Sequence, residues 1–177
     1  MNSTYIPPFR VGLGYDVHQL EEGKPFWLGG IEIAHTHGAV GHSDADVLIH
    51  AICDALLGAA NMGDIGYHFP DTDQAYKGID SKKLLAKVVD LIREKGYEIG
   101  NIDATVSLQL PKLRPHIARM QEVLGEVMSM RPEDVSVKAT TTEKLGFVGR
   151  MEGVDAHVVA LIYKPGNMEP QDNRTYN

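Results

Sequence analysis

The chain is poor in cysteine and in aromatic residues: it has one cysteine, one tryptophan and 7% aromatics in all. A single thiol, Cys53, excludes an internal disulfide and a cysteine-built zinc site. A long apolar run is also missing. The most apolar stretch, Val47 to Ala60, is interrupted by His50 and Asp54 and falls well short of the ~20 residues of a membrane-spanning helix. Basic charge is scarce, with 17 Lys and Arg against 24 Asp and Glu for a net charge of −7. That balance argues against a nucleic-acid partner. An acidic chain binds anions only where local cations, metal ions or helix N-termini gather. The opening MNSTYIPPFR has neither the apolar core of a secretory signal nor the arginines of a transit peptide, so a cytoplasmic location is expected. What is present is ordinary: 177 residues, 43% hydrophobic and 23% charged. That is enough for one globular domain burying roughly 70% of its unfolded surface.

Composition divides the chain into a short N-terminal tail (1–9), one domain (10–163) and a polar C-terminal tail (164–177). Within the domain, Val11, Leu13, Tyr15 and Val17 alternate with Gly12, Gly14, Asp16 and His18, which predicts a strand with a polar, glycine-opened face. Phe26 to Leu28, Gly29-Gly30 and Ile31 to Ile33 predict a hairpin. Ser43 to Ala59 reads as a helix capped by Ser43, with Asp46 completing an S-x-x-D box. A second helix runs from Asp80 or Ser81 to Lys95, and a third from Pro115 to about Met130. Further strands are expected at Ile102–Leu110, Val135–Thr141 and Ala156–Tyr163. The order fits neither a strict βα repeat nor an all-β run. An α+β domain is expected, with a mixed β-sheet and helices packed on one face.

Asp16 and His18 leave the same face of their strand, and His50 lies on the first helix. Packed together they form a two-histidine, one-carboxylate metal site with an open position, a set that suits zinc and also iron(II) or manganese. Asp46, His50 and Asp54 are spaced four apart, so Asp46 or Asp54 can accept the second ring N–H of His50. His42 stands close enough to reach the site. A second constellation, Lys138 to Lys144, gathers three threonines, an acid and two lysines at the end of a strand, and suits a nucleotide phosphate with its magnesium. Pro111 to Arg114 can present a rigid backbone to a base. Asp64, Asp71 and Asp73 lie in a turn-rich loop. Each feature also has a bland reading: a surface pair, a solvated edge, an ordinary turn.

Taken in order, Gly14 to His18, His42 to His50, Asp54 to Gly58, Gly63 to Gly66, Phe69 to Asp73, Pro111-Lys112 and Lys138 to Phe147 closely resemble the 2-C-methyl-D-erythritol 2,4-cyclodiphosphate synthase family of the non-mevalonate isoprenoid pathway. The resemblance runs from about Arg10 to Tyr163. It implies a homotrimer with active sites between subunits, and a lyase reaction on 4-diphosphocytidyl-2-C-methyl-D-erythritol 2-phosphate. The 2-phosphate attacks the β-phosphorus, CMP leaves, and the cyclic diphosphate remains.

Carried over by motif, Asp16, His18 and His50 hold Zn2+, and Glu143 holds Mg2+ or Mn2+. His42, Thr140 and Thr141 serve catalysis, with Ser43 beside the 2-phosphate. Asp64 holds the erythritol hydroxyls, the Pro111 to Leu113 segment with Lys112 cradles the cytosine end, and Gly66, Phe69, Asp71, Asp73 and Thr142 also contact substrate. Phe147 and Arg150 complete the set near the three-fold axis, where an isoprenoid diphosphate can bind in some members. Leu13 and His157 leave the chemistry of that axial cavity open. Asp46 and Asp54 stand behind the ligands. Two other readings use the same residues: a zinc-dependent phosphohydrolase, and a non-catalytic nucleotide- or isoprenoid-binding trimer.

Overall fold

The alternating segment at the start grows into a 14-residue strand, β1 (Phe9–Glu22), the first element of a computed structural model that describes residues 7–167. Residues 1–6 and 168–177 of the two expected tails lie outside the described residues. The hairpin forms as β2 (Trp27–Leu28) and β3 (Ile31–Glu32), turning on Gly29 and Gly30 at φ 60° and 79°. Both glycines take left-handed backbone, the requirement of a tight two-residue turn. A short β4 (His37–Ala39), not foreseen, pairs with the end of β1.

Helix α1 covers Val47–Ala59, so the expected start at Ser43 is corrected. Asp46 is the cap: its carboxylate accepts the Ile49 N–H at 3.0 Å. Ala45 stands at φ 59°, which breaks any helical path back to Ser43. The Ser43–Asp46 box therefore does not form. Then come α2 (Ile65–His68), α3 (Ser81–Glu94, capped by Asp80), β5 (Glu98–Ser107) and α4 (Ile117–Met128). Pro115 precedes α4 by two residues instead of opening it. β5 starts four residues earlier than the alternation suggested and stops at Ser107, with an irregularity at Gly100 that the pattern could not carry. β6 (Val135–Thr140), α5 (Gly146–Gly149) and β7 (Gly153–Tyr163) complete the domain.

Five strands form one mixed sheet in the order β4-β1-β7-β5-β6. β1, β7 and β5 pair antiparallel, while β5 and β6 run parallel. The domain is α+β. The buried side of the sheet carries Val154, Ala156, Val158, Ala160 and Ile162, joined in one core by Leu48, Ile52, Leu56, Leu85, Ile92 and Leu124 from the helices. Burial of this apolar surface is the main stabilising term, at roughly 25 cal/mol per Å².

The glycine row of β1 is what places α1. A Cβ on Gly12 would lie 1.9 Å from the Ala55 carbonyl oxygen, and one on Gly14 would lie 1.9 Å from that of Ala51. Only glycine lets the helix backbone rest directly on the strand. Asp16 and His18 continue that row toward His50. The apolar row of β1 is the exposed one: Val11, Leu13, Tyr15 and Val17 face outward together with Val159 of β7. Among the described residues, no helix is long and apolar enough to cross a membrane.

Candidate active site

The three expected metal ligands converge. His50 Nδ1 lies 3.0 Å from Asp16 Oδ2 and 3.1 Å from His18 Nε2, and His18 Nε2 lies 3.2 Å from Asp16 Oδ2. The three side chains belong to two elements that touch only because β1 opposite α1 is glycine. A tetrahedral zinc with bonds of ~2.0–2.1 Å holds its ligand atoms ~3.3 Å apart, so this near-equilateral triangle fits such an ion. Two imidazole nitrogens and one carboxylate oxygen are also the donors that zinc prefers. The triad is the one group of this kind among the described residues.

The ligands differ in environment. Burial pulls the His18 imidazole below the usual histidine range, against the charge of Asp16. Burial acts on His50 in the same direction, but its hydrogen bond and ion pair with Asp16 outweigh it and leave that ring raised. The second ring nitrogen of His50, Nε2, stands 3.0 Å from Ser43 Oγ and 3.0 Å from Ser81 Oγ. Asp46 and Asp54, expected behind the ligands, are occupied elsewhere. The fully buried Asp46 carboxylate accepts N–H bonds from Gly29, Gly30 and Ile49 and so ties the hairpin to α1. Burial pushes its carboxyl up, and the three N–H donors pull the other way. Asp54 accepts the Ile65 N–H at 2.8 Å and anchors α2. Both are corrections: the four-residue spacing is real, but neither carboxylate bonds the His50 ring.

His18 and His50 open into a cavity of about 440 Å³ lined also by His42, Ser43, Gly66, Phe69 and Asp71. Ser43, Gly66, Phe69 and Asp71, four of the residues expected to contact substrate, thus line one cavity. His42 Nε2 is buried there with no hydrogen-bond partner among the described residues. Asp64 caps α2 through the Tyr67 N–H and does not line the cavity. Asp73 follows Thr72, a lining residue, and accepts the Tyr76 N–H on its carbonyl.

A second, smaller cavity of about 130 Å³ gathers the other constellation. Pro111, Lys112, Leu113, Thr140 and Thr141 line it. The Thr141 hydroxyl donates to Glu143 Oε1 at 2.9 Å, and the Thr142 hydroxyl donates to the Leu145 carbonyl at 2.6 Å. Glu143 and Lys144 stand at φ 52° and 67°, in a tight turn that carries the acid back beside the threonines. The two cavities share no lining residue. Phe147 packs its ring against Gly153, where a Cβ would lie 2.8 Å from it. Arg150 and Glu152, both exposed, pair at 2.8 Å. Sequence reasoning missed Asp44, Ser81, Tyr76, Ile79 and Leu84. Ser81 is legible in sequence only as a helix-start residue, and its contact with His50 spans 31 positions.

Comparison with known proteins shows the family. The model of the YgbB family matches residues 9–163. A protein of Cytophaga hutchinsonii named 2-C-methyl-D-erythritol 2,4-cyclodiphosphate synthase is 65% identical over 156 residues, covering 88% of this chain and 98% of that relative. A solved 2C-methyl-D-erythritol-2,4-cyclodiphosphate synthase in its CDP-bound form superposes with a TM-score of 0.80 at 36% identity, covering 86% of this chain and 99% of the other. The bifunctional IspDF from Campylobacter jejuni gives a TM-score of 0.85 at 43% identity, with 88% of this chain matching 42% of that longer one.

Proposed function

The chain belongs to the YgbB family, and on that premise we infer that it is a phosphorus–oxygen lyase of non-mevalonate isoprenoid biosynthesis. It converts 4-diphosphocytidyl-2-C-methyl-D-erythritol 2-phosphate to 2-C-methyl-D-erythritol 2,4-cyclodiphosphate. A 2-phosphate oxygen forms a bond to the β-phosphorus, the bridging P–O bond to the α-phosphate breaks, and CMP departs with the electron pair. No water is consumed. The observation that carries this reading is the Asp16–His18–His50 triangle opening into the cavity bordered by His42 and Ser43.

The chain's own groups bind, orient and neutralise. His42 offers its unpartnered Nε2 and Ser43 its hydroxyl to a phosphate beside the triad. Lys112 supplies a cation, and Thr140 and Thr141 supply hydroxyls, for the cytidyl diphosphate. Pro111 and Leu113 shape the floor for the base. Such positioning and charge neutralisation carry most of phosphoryl transfer. No general base is required, because a phosphate monoester, with a second pKa of ~6, is largely dianionic at neutral pH. Asp16, His18 and His50 would hold Zn2+, which supplies a Lewis acid to the terminal phosphate. Glu143, an oxygen donor beside Thr141, would hold Mg2+ or Mn2+, which would supply charge neutralisation for the diphosphate.

The two cavities are assigned to opposite ends of one substrate. Since they share no lining residue within a chain, the complete site is assigned to the junction of adjacent copies. The exposed apolar row of β1 with Val159 supports a trimer packed on that sheet face. An isoprenoid diphosphate at its axis beside Arg150 belongs to the same proposal, as do the cytoplasmic location and the single catalytic domain at 10–163. Phosphorus NMR of the protein supplied with zinc, magnesium and the cytidyl substrate tests the reading. Cyclic diphosphate with CMP is expected. An open-chain diphosphate, or unchanged substrate, would overturn it.

A further inference from the structure

One wall of the larger cavity is a segment that bonds largely to itself. Phe69, Pro70, Asp71, Thr72 and Tyr76 line that cavity. Within residues 70–77 the described backbone hydrogen bonds close inside the segment. Asp73 N–H donates to the Pro70 carbonyl at 3.0 Å, Tyr76 N–H to that of Asp73 at 3.1 Å, and Lys77 N–H to that of Gln74 at 3.3 Å. The backbone joins the rest of the domain at the two ends. Phe69 N–H donates to the Ile65 carbonyl at 2.8 Å, and Gly78 N–H to that of His42 at 2.8 Å. A turn-rich surface segment of this kind belongs to the part of a fold that opens first, unless side chains hold it.

One lysine makes such a contact. Lys87 lies on the second turn of α3 and is exposed. Its Nζ stands 5.9 Å from the centre of the Phe69 ring and 5.5 Å from that of Tyr76. The two rings meet edge to face, with centres 5.5 Å apart and planes at 83°. Ring quadrupoles favour that arrangement, and they attract an ammonium within ~6 Å of a ring centre. A single cation thus pins residues 69 and 76, at either end of the segment, to α3. Lys87 does not line the substrate cavity. It lines a separate one of about 280 Å³ with His68, Phe69, Asp90 and Leu91. Phe69 borders both cavities, so the contact reaches the substrate side through its ring.

We propose that Lys87 is a positioning residue: by holding Phe69 and Tyr76 it keeps the 70–77 segment, with Asp71 and Thr72, in place as a wall of the substrate cavity. The consequence for substrate rests on the proposed function; the clamp itself does not. A wall ordered in advance removes an entropy cost from binding. A group that favours ground and transition states alike changes KM and leaves kcat as it was. An exposed cation over a ring shifts an equilibrium by about 2–5-fold.

Steady-state kinetics and hydrogen exchange of the full-length protein, supplied with zinc and magnesium, test the clamp. Lys87→Met is expected to raise KM for the cytidyl substrate about 2–5-fold with kcat unchanged. Hydrogen exchange over residues 70–77, read by mass spectrometry, should speed up with it. Lys87→Arg should restore both, since a guanidinium also binds ring faces. Lys83, exposed on the same helix, lines a different cavity. Lys83→Met removes the same charge and should change neither quantity. An unchanged KM in Lys87→Met overturns the proposal, as does a raised KM without faster exchange. An equal rise in Lys83→Met overturns it by assigning the effect to long-range charge. A Lys87→Arg protein as impaired as Lys87→Met overturns it as well. If the wild type does not turn the substrate over, the proposed function fails, and the exchange rates alone decide the clamp.

Discussion

Gly14 sits against Ala51 so closely that a methyl group on it would lie 1.9 Å from the Ala51 carbonyl oxygen and 2.7 Å from the Ala55 nitrogen. The obstacle is helix backbone, which cannot rotate away as a side chain would. Gly14→Ala must push α1 off β1 and carry His50 away from Asp16. Overpacking a close contact costs about 1–3 kcal/mol, and a backbone obstacle belongs at the upper end. The expected result is a melting temperature lower by roughly 6–12 °C for a chain of this length, with weakened zinc binding, as calorimetry and chelator competition would show. An unchanged melt would mean that α1 does not rest on β1 as described.

Asp46 joins three pieces of backbone at one buried carboxylate, at 2.9 Å to Gly29, 2.7 Å to Gly30 and 3.0 Å to Ile49. Asp46→Asn keeps the shape but turns an N–H donor toward at least one of these donors. Leaving a buried donor unsatisfied costs about 1–3 kcal/mol. Urea unfolding should report a loss of about that size with the slope unchanged.

Removing His50 separates fold from chemistry. The ring is largely enclosed, but its role is to complete the donor triangle. His50→Ala is expected to abolish turnover and lower zinc affinity by at least ~100-fold while the chain still folds. In the wild type, zinc at 100 times its dissociation constant should add about 2.7 kcal/mol of stability. Chelation should remove that increment, and His50→Ala should never have had it. An equal zinc-dependent shift in the variant would refute the ligand assignment. So would full activity of metal-free wild type.

Asp103 and Lys138 tie β5 to β6 across the outward face at 2.6 Å. The hydrogen bond from Lys138 holds the Asp103 carboxyl below the usual carboxylate range. A depressed acid stabilises the fold above its unfolded value of ~3.9 and loses that contribution as pH falls through the folded value. Both side chains are about half exposed, which limits the pair to ~0.2–1 kcal/mol. Asp103→Asn should therefore cost that little at pH 7. The gap to wild type should shrink as pH falls toward 3, and also in high salt. A gap that widens on acidification would contradict the sign.

Much of the site could be read in order along the chain. Asp16 and His18 share a face because a strand repeats every two residues, and the glycines before them mark where something must come close. The threonine run and Glu143 are contiguous, so their meeting with one another needed no folding beyond a turn. What failed were readings that treated a helix face as a destination. Asp46 and Asp54 lie four residues either side of His50, yet one turns to the hairpin and the other to α2. Helical spacing says which residues share a side, not which backbone donors wait there. The box expected at Ser43 failed for a similar reason. Ala45 at φ 59° leaves the helical path, and Asp46 finds its own donor at Ile49.

By itself, then, the sequence determined the local periods, the hairpin glycines, the acidic balance, and the donor types that make a zinc and phosphate chemistry possible. The tertiary structure alone decided that β7 would lie between β1 and β5, and that the apolar row of β1 would face outward. It also decided that Ser81 would stand behind His50. Those outcomes depend on contacts between residues tens of positions apart. Their energies come from which surfaces bury against one another, and that sum is taken only once the whole chain has packed.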